Sequence, residues 1–416
     1  MTSGRNKTPY FVRPRTAVLT RGFDPKLSVG SARPAVFRSS TYVFSSPEAA
    51  ERAFRVALGR SAASDGENID LIYSRLSHPN AEILEDQITP LEPRAVDAAV
   101  FNSGMAAIST LFLQLCPPGS AFVYTTPIYG GTQHLIHQVL EPLGIRAVAA
   151  PAGNARAIAE AIESTPNLRL VLIETPANPT LIMTDIAEAV LATRRRGAER
   201  PLVAVDNTFM GPVFQHPLEL GADITVYSAT KFLGGHSDIL AGVILANEQP
   251  VIDGLRGLRA VLGNILQPDE CWILDSRLPS VDLRMSRQSK NAERVVGALA
   301  NHPKIAQMHF PTRFSDPAQV SIYNRQCSGP GSVIAIDLGT KSAAFDFLRR
   351  LKITKNAVSL GGIESLACHP ATTTHSELSA DEQQNTGVTP GLVRISVGVE
   401  DARDLASEYS SALDAL

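Results

Sequence analysis

What is scarce in this chain narrows its class first. Cysteine occurs four times in 416 residues, at Cys116, Cys271, Cys327 and Cys368, and never as a CxxC pair. That spacing argues against a zinc ribbon or a disulfide framework. No apolar run reaches the roughly 18 residues of a membrane span. The opening Met-Thr-Ser-Gly-Arg lacks the apolar core of a signal peptide. The expectation is a soluble protein of a reducing cytoplasm, with no membrane partner. An excess of either charge is also missing: 38 basic against 41 acidic residues give a net charge of −3. The run Arg194-Arg195-Arg196 reads as a solvated helix end, so no nucleic-acid partner held by phosphate neutralisation is expected. There is no GxSxG elbow, and no GxGxxG follows the first strand of an α/β unit. Both absences argue against a serine hydrolase and a nicotinamide-dependent dehydrogenase. His134 and His137, three apart, do not by themselves make a metal site, and none is expected.

What is present has the texture of a large α/β protein. Residues 1–77 read as an irregular arm, with a polar loop over 59–66, too long to be idle and expected to pack on a neighbouring subunit. From Pro79 the pattern alternates. A helix is expected over 80–91 and another over 103–115, the latter capped by Ser103. Strand-like runs lie at 95–100, 121–124, 146–150, 168–174, 202–206, 224–227 and 240–246, with helical patterns between most of them. Alternation of this kind predicts a mostly parallel sheet covered on both faces, here over 78–281. Beyond it, over 282–416, a helix at 281–299 and further segments at 305–310, 332–338, 343–351 and 392–397 predict a smaller α+β domain. No internal repeat or low-complexity tract is present.

One segment stands out chemically. Asp223-Ile-Thr-Val-Tyr-Ser-Ala-Thr-Lys231-Phe-Leu-Gly-Gly runs an apolar strand into small hydroxyl residues and then a single lysine. Upstream, Leu202-Val-Ala-Val-Asp206 is a strand that ends on a carboxylate. An amine and a carboxylate on strand ends of one sheet suit a Schiff-base cofactor, the lysine condensing with its aldehyde and the aspartate facing its ring nitrogen. The residues alone also allow a lysine that snorkels at a strand end.

Six motifs in fixed order extend the pattern: Tyr73-Ser-Arg75, Ser103-Gly104-Met105, Tyr129-Gly-Gly131, Asp206, Ser228-Ala-Thr230-Lys231 and Arg394-Ile-Ser-Val-Gly398. Together they resemble the Cys/Met-metabolism family of pyridoxal-phosphate enzymes, from about Arg33 to near the C-terminus. The resemblance implies fold type I, the aspartate-aminotransferase-like α/β fold, with pyridoxal 5'-phosphate as cofactor and a homotetramer built as a dimer of dimers. It implies that Lys231 carries the cofactor and moves protons, that Tyr129 stacks on its ring and shares in proton transfer, and that Asp206 keeps the ring nitrogen protonated. Amides of Gly104 and Met105 and hydroxyls of Ser228 and Thr230 would hold the phosphate, with Tyr73 and Arg75 arriving from a neighbouring subunit. Asn178 would bond the phenolic oxygen, and Arg394 and Ser359 the substrate carboxylate.

The same comparison shows departures. Ser-His78-Pro-Asn80 replaces Asn-Pro-Thr beside the arm. Val358 stands where cystathionine-handling members carry Glu, and His134 where many carry Arg. Leu360 stands where β-lyases tend to have Trp, Ser359-Leu-Gly361 where sulfhydrylases have Asn-Ile-Gly, and Gly131 where methionine γ-lyases have Cys. The balance predicts γ-elimination on a methionine- or homocysteine-like amino acid, giving a 2-oxo acid, ammonia and a thiol. γ-Replacement on an activated homoserine ester, cystathionine lyase activity and a catalytically silent cofactor-binding protein are the alternatives. Lys231, Tyr129 and Arg394 are all present, which weighs against the last.

Overall fold

In the computed structural model of this protein, residues 13–64 and 67–416 are described. The first twelve positions of the expected arm, and two within its polar loop, lie outside that range.

The strands of the first sheet are β1 (Asp97–Phe101), β2 (Ala121–Thr126), β3 (Arg146–Pro151), β4 (Leu168–Glu174), β5 (Leu202–Asp206), β6 (Ile224–Ser228) and β7 (Gly242–Ala246). They lie in the order β1-β7-β6-β5-β4-β2-β3. All neighbours pair in parallel except β7, which runs against both β6 and β1. Because successive strand residues face opposite sides, the apolar runs split into two cores. Phe122, Tyr124, Leu170, Leu172 and Ala204 pack with Ile108, Leu111 and Phe112 of helix Gly104–Leu115. Val123, Val171, Ile173, Val203 and Val205 pack with Ile158, Ile162, Ile186 and Val190 of helices Ala155–Ser164 and Ile186–Arg194. Each such side chain contributes roughly 1.5–3 kcal/mol on burial.

A second sheet follows, with β8 (Gln307–His309), β9 (Val333–Asp337), β10 (Lys355–Asn356), β11 (Leu366–Cys368) and β12 (Leu392–Ser396) in the order β10-β11-β12-β9-β8. Helices Val281–Leu299 and Ala402–Asp414 bury Val295, Leu299, Leu405 and Tyr409 with Ile334, Ile336, Val393 and Ile395.

Local results differ from the sequence expectation, and three have a clear physical reason. The arm is not wholly irregular: helix Pro47–Ala57 lies within it, with Ser46 Oγ accepting from Ala49 N at 3.1 Å. Its start carries the usual signals, a serine cap, proline in the first turn and Glu48 near the positive helix end. The helix expected over 80–91 is α-helical only over Pro79–Ile88 and tightens to a 3₁₀ turn at Thr89–Leu91, where Pro90 has no N–H to continue the ladder. Strand β7 starts at Gly242 rather than at residue 240, because Thr230 satisfies both backbone groups of Ala241 and leaves Leu240 outside the ladder.

The substitution at His78 has a physical explanation. Its Nδ1 accepts from Ala81 N at 3.2 Å and so caps the helix, while Nε2 donates to Leu266 O at 2.9 Å. Asn80 then ties the arm down, accepting from Phe37 N at 2.9 Å and donating to Ala35 O at 2.8 Å.

Candidate active site

Strands β2, β4, β5 and β6 end at one edge of the sheet, and their carboxyl ends bring together residues far apart in sequence. A cavity of about 250 Å³ lies there, as is usual for open α/β sheets. It is lined by Ser103, Gly104, Met105, Tyr129, Glu174, Asn178, Asp206, Ser228, Thr230, Lys231, Val358, Ser359 and Arg394, among others. The first ten come from the large sheet and the last three from the 355–396 region of the small one.

One end of the cavity is built for an anion. Ser103 caps helix Gly104–Leu115 through Ala106 N at 3.0 Å. The amides of Gly104 and Met105 donate to no acceptor among the described residues. Unpaired amides at a helix start carry the positive end of its dipole. Glycine is needed at 104 because a Cβ there would stand 2.9 Å from the Cβ and Oγ of Ser228. Ser228 itself is held by its amide, which donates to Thr208 Oγ1 at 2.9 Å. The Thr230 hydroxyl also lines the cavity while bonding the backbone of Ala241.

The middle holds two carboxylates in register across β4 and β5, Glu174 and Asp206. Thr208 donates to Asp206 Oδ1 from its amide at 3.0 Å and its hydroxyl at 2.6 Å. Oδ2 accepts from no group among the described residues. Burial raises the Asp206 pKa, an effect partly offset by Thr208. Burial, and then the charge of Asp206, raise the Glu174 pKa above the usual carboxyl range, an effect that the amides of Asn178 and Tyr129 oppose. Charge is costly here unless a cation meets it.

The far end holds the cations. Lys231 Nζ donates to Ser359 Oγ at 2.9 Å. Burial, with the nearby Arg394 guanidinium, lowers the amine's pKa to about 8. Arg394 is 2% exposed. Its Nη1 donates to Asn178 Oδ1 at 2.9 Å and its Nη2 to Val358 O and Ser359 O at 2.6 and 3.2 Å. No carboxylate forms an ion pair with it among the described residues. Gly361 permits this junction of the two sheets: its φ is +79°, and a Cβ would meet Phe232 N at 2.7 Å and Lys231 C at 2.9 Å.

The structure thus gathers Lys231, Tyr129, Gly104, Met105, Asn178, Asp206, Ser228, Thr230, Ser359, Val358 and Arg394 around one cavity. Tyr73 and Arg75 are not among its lining residues. Both are exposed, with Arg75 Nη1 donating to Ala260 O at 2.6 Å. His134 does not line it either; its Nδ1 meets Glu377 Oε2 at 3.1 Å on the surface. Sequence reasoning missed Glu174, Thr208, Leu240 and Thr374. Glu174 carried the signal used for Asp206, a carboxylate closing an apolar strand. Thr374 carried none, since it reaches the cavity only through the packing of the small domain.

This arrangement matches known proteins along the whole chain. The family described as Cys/Met metabolism PLP-dependent enzyme matches residues 15–414. The chain belongs to this family. It is 36% identical over 415 residues to the L-methionine gamma-lyase of Pseudomonas putida, covering 99% of each chain. It is 36% identical over 349 residues to the cystathionine gamma-lyase of Bacillus subtilis (strain 168), covering 84% of this chain and 90% of the other. Among solved structures, the cystathionine gamma synthase of Xanthomonas oryzae pv. oryzae in complex with cystathionine superposes with a TM-score of 0.87 at 28% identity, over 97% of this chain and 98% of that one. As a member of the family the protein is an enzyme that uses pyridoxal phosphate, and its fold is that of the transsulfuration enzymes. The residues present fit that cofactor. Free helix-start amides suit a phosphate, the open Asp206 Oδ2 a protonated ring nitrogen, and the low-pKa Lys231 amine an aldehyde. Among the described residues, no helix is long and apolar enough to cross a membrane.

Proposed function

We propose that this protein catalyses γ-elimination on a short sulfur amino acid of the methionine or homocysteine type, releasing a 2-oxo acid, ammonia and a thiol. The observation that carries this reading is the wall beside the two cations. Where Lys231 and Arg394 meet at Ser359, the adjoining side chain is Val358, apolar and 55% exposed. The similarity to a methionine γ-lyase along the whole chain supports it.

Bound pyridoxal phosphate would supply the electron sink for negative charge at the substrate Cα. The chain's own groups do the rest. Gly104, Met105, Ser228 and Thr230 hold the phosphate, Asp206 the ring nitrogen, and Tyr129 the ring face. Asn178 accepts from Arg394 through Oδ1, which leaves its Nδ2 for the phenolic oxygen. Arg394 and Ser359 receive the substrate carboxylate and fix which Cα bond faces Lys231. The Lys231 amine, its pKa lowered to about 8 by burial and the Arg394 charge, is the group that takes and returns the Cα proton. A second proton leaves Cβ as the thiolate leaves Cγ and is protonated. One water is consumed overall, to form the 2-oxo acid and ammonia.

The reading is tested by assaying 2-oxo acid and thiol release from methionine, homocysteine, cystathionine and O-acyl-homoserines, with and without added thiol. Methionine or homocysteine should lead. Thiol consumption with an O-acyl-homoserine would instead favour γ-replacement, the second reading, which the likeness to a cystathionine γ-synthase structure supports. Val358→Glu should raise the cystathionine-to-methionine ratio of kcat/KM by about tenfold or more, because an ammonium beside an apolar wall lacks a partner that a carboxylate supplies.

The same proposal places Tyr73 and Arg75 at the phosphate of a neighbouring subunit, with residues 1–77 as the arm, 78–281 as the cofactor domain and 282–416 as the small domain. Its support is that both side chains are exposed and lie off their own cavity. The working unit is then a dimer, assembled further into a homotetramer. Arg75→Ala should weaken cofactor retention by about 1.5–3 kcal/mol, the worth of a charged hydrogen bond. Mixing Arg75→Ala with Lys231→Ala protein should restore activity through hybrid dimers with one intact site. No recovery after proven subunit exchange would keep the arm in its own subunit.

A further inference from the structure

Glu174 is the one carboxyl group of the cavity with no part in the reaction described above. It sits in an expensive place. It is buried, it forms no ion pair among the described residues, and it lies in register beside Asp206 on the adjacent strand. Neighbouring strands are about 4.8 Å apart, so two negative charges there repel strongly. A carboxyl group that served packing alone would be better replaced by an apolar side chain of similar size.

Its hydrogen bonds show what it does instead. Oε2 accepts from the amide of Tyr129 at 2.9 Å. Oε1 accepts from the amide of Asn178 at 2.8 Å. Tyr129 closes the loop after β2, at the start of helix Gly130–Leu135, and Asn178 lies in the loop after β4. Asn178 in turn takes Arg394 Nη1 on its Oδ1 at 2.9 Å, across 216 residues of sequence. One carboxyl group therefore joins two loops of the large sheet and, through Asn178, the guanidinium of the small domain. Only a group with two acceptor oxygens can do this. Glutamine offers one acceptor and one donor, and the donor would face an N–H.

We propose that Glu174 is a positioning residue for amino-acid binding: it fixes the Tyr129 and Asn178 loops against each other and so sets the orientation of Arg394. The role rests on the reading that Arg394 receives the substrate carboxylate. It predicts that the amino-acid site and the cofactor site respond differently to loss of Glu174. The cofactor's phosphate and ring-nitrogen contacts, at Gly104, Ser228 and Asp206, do not pass through Glu174; only those of Tyr129 and Asn178 do.

The test uses cofactor-loaded protein and L-norleucine, which has the shape of methionine but no leaving group. Its affinity is read from the change in cofactor absorbance, and cofactor affinity is read separately from fluorescence quenching of the cofactor-free protein. Glu174→Gln should weaken norleucine about tenfold or more, the usual consequence of one buried amide left without an acceptor, and should weaken the cofactor less, because its phosphate and ring-nitrogen contacts remain. Asn178→Ala should weaken norleucine also, and the double variant should lose less than the product of the two single effects. Should Glu174→Gln fail to fold, Glu174→Asp is read in the same way, being one methylene too short to reach both amides. Unchanged norleucine affinity in the folded variant overturns the inference. So does an equal fall in cofactor and norleucine affinity with a lowered Tm, which marks general damage. Failure of the wild-type enzyme to bind norleucine overturns the underlying assignment of Arg394, and the inference with it.

Discussion

Lys231→Ala should abolish turnover, by at least about 10³-fold, while leaving weak cofactor binding. The size follows from the double burden that the proposed function places on one amine, to hold the cofactor and to move the Cα proton; general acid–base catalysis alone is worth roughly 10²–10⁴-fold. Borohydride reduction of the wild-type enzyme should fix the cofactor mass on the peptide that contains Lys231. The pH dependence should be distinctive. Burial and the Arg394 charge lower this amine's pKa to about 8, so its reactivity in the cofactor-free protein should rise through that pH, well below exposed lysines. The sign follows from the charged form being the disfavoured one. A reduced label on another lysine, or an activity that survives the substitution, would remove Lys231 from the centre of the site.

Arg394→Ala should lower kcat/KM by about 10²–10⁴-fold, the loss of two charged hydrogen bonds to a carboxylate at roughly 1.5–3 kcal/mol each. The guanidinium is 2% exposed and also holds Val358 O and Ser359 O, so its removal frees the segment that carries Ser359. Arg394→Lys should recover little of this, because a single ammonium cannot reproduce the planar fork. Initial rates and norleucine affinity measure the loss, with cofactor absorbance as the control. A kcat/KM unchanged in a cofactor-loaded Arg394→Ala enzyme would place the substrate carboxylate elsewhere in the cavity.

Much of the large domain was readable as sequence because its signals are local. An apolar run bounded by small residues makes a buried strand wherever it falls, and seven such runs correspond to the seven strands of the first sheet. Lys231 and Asp206 were readable for the same reason, each being an unusual residue at the end of such a run. The misses also have local causes. Strands β10 and β11 are two and three residues long, too short for any period to show. Helix Pro47–Ala57 was overlooked, although Ser46-Pro47-Glu48 marks its start, because it sits among loop-like residues.

The sequence by itself determined the α/β alternation, the lysine and carboxylate at strand ends, and the order of motifs that marks the family. These depend on neighbours along the chain, where backbone period and turn chemistry act. Only the tertiary structure decided the rest. It joined Arg394 to Asn178 and Lys231 to Ser359, across 216 and 128 residues. It turned His134 to Glu377 rather than to the cavity, set Tyr73 and Arg75 outside their own site, and gave Glu174 two loops to hold. Such pairings form where packing of the two sheets brings unlike segments within about 3 Å, the range over which a hydrogen bond selects its partner.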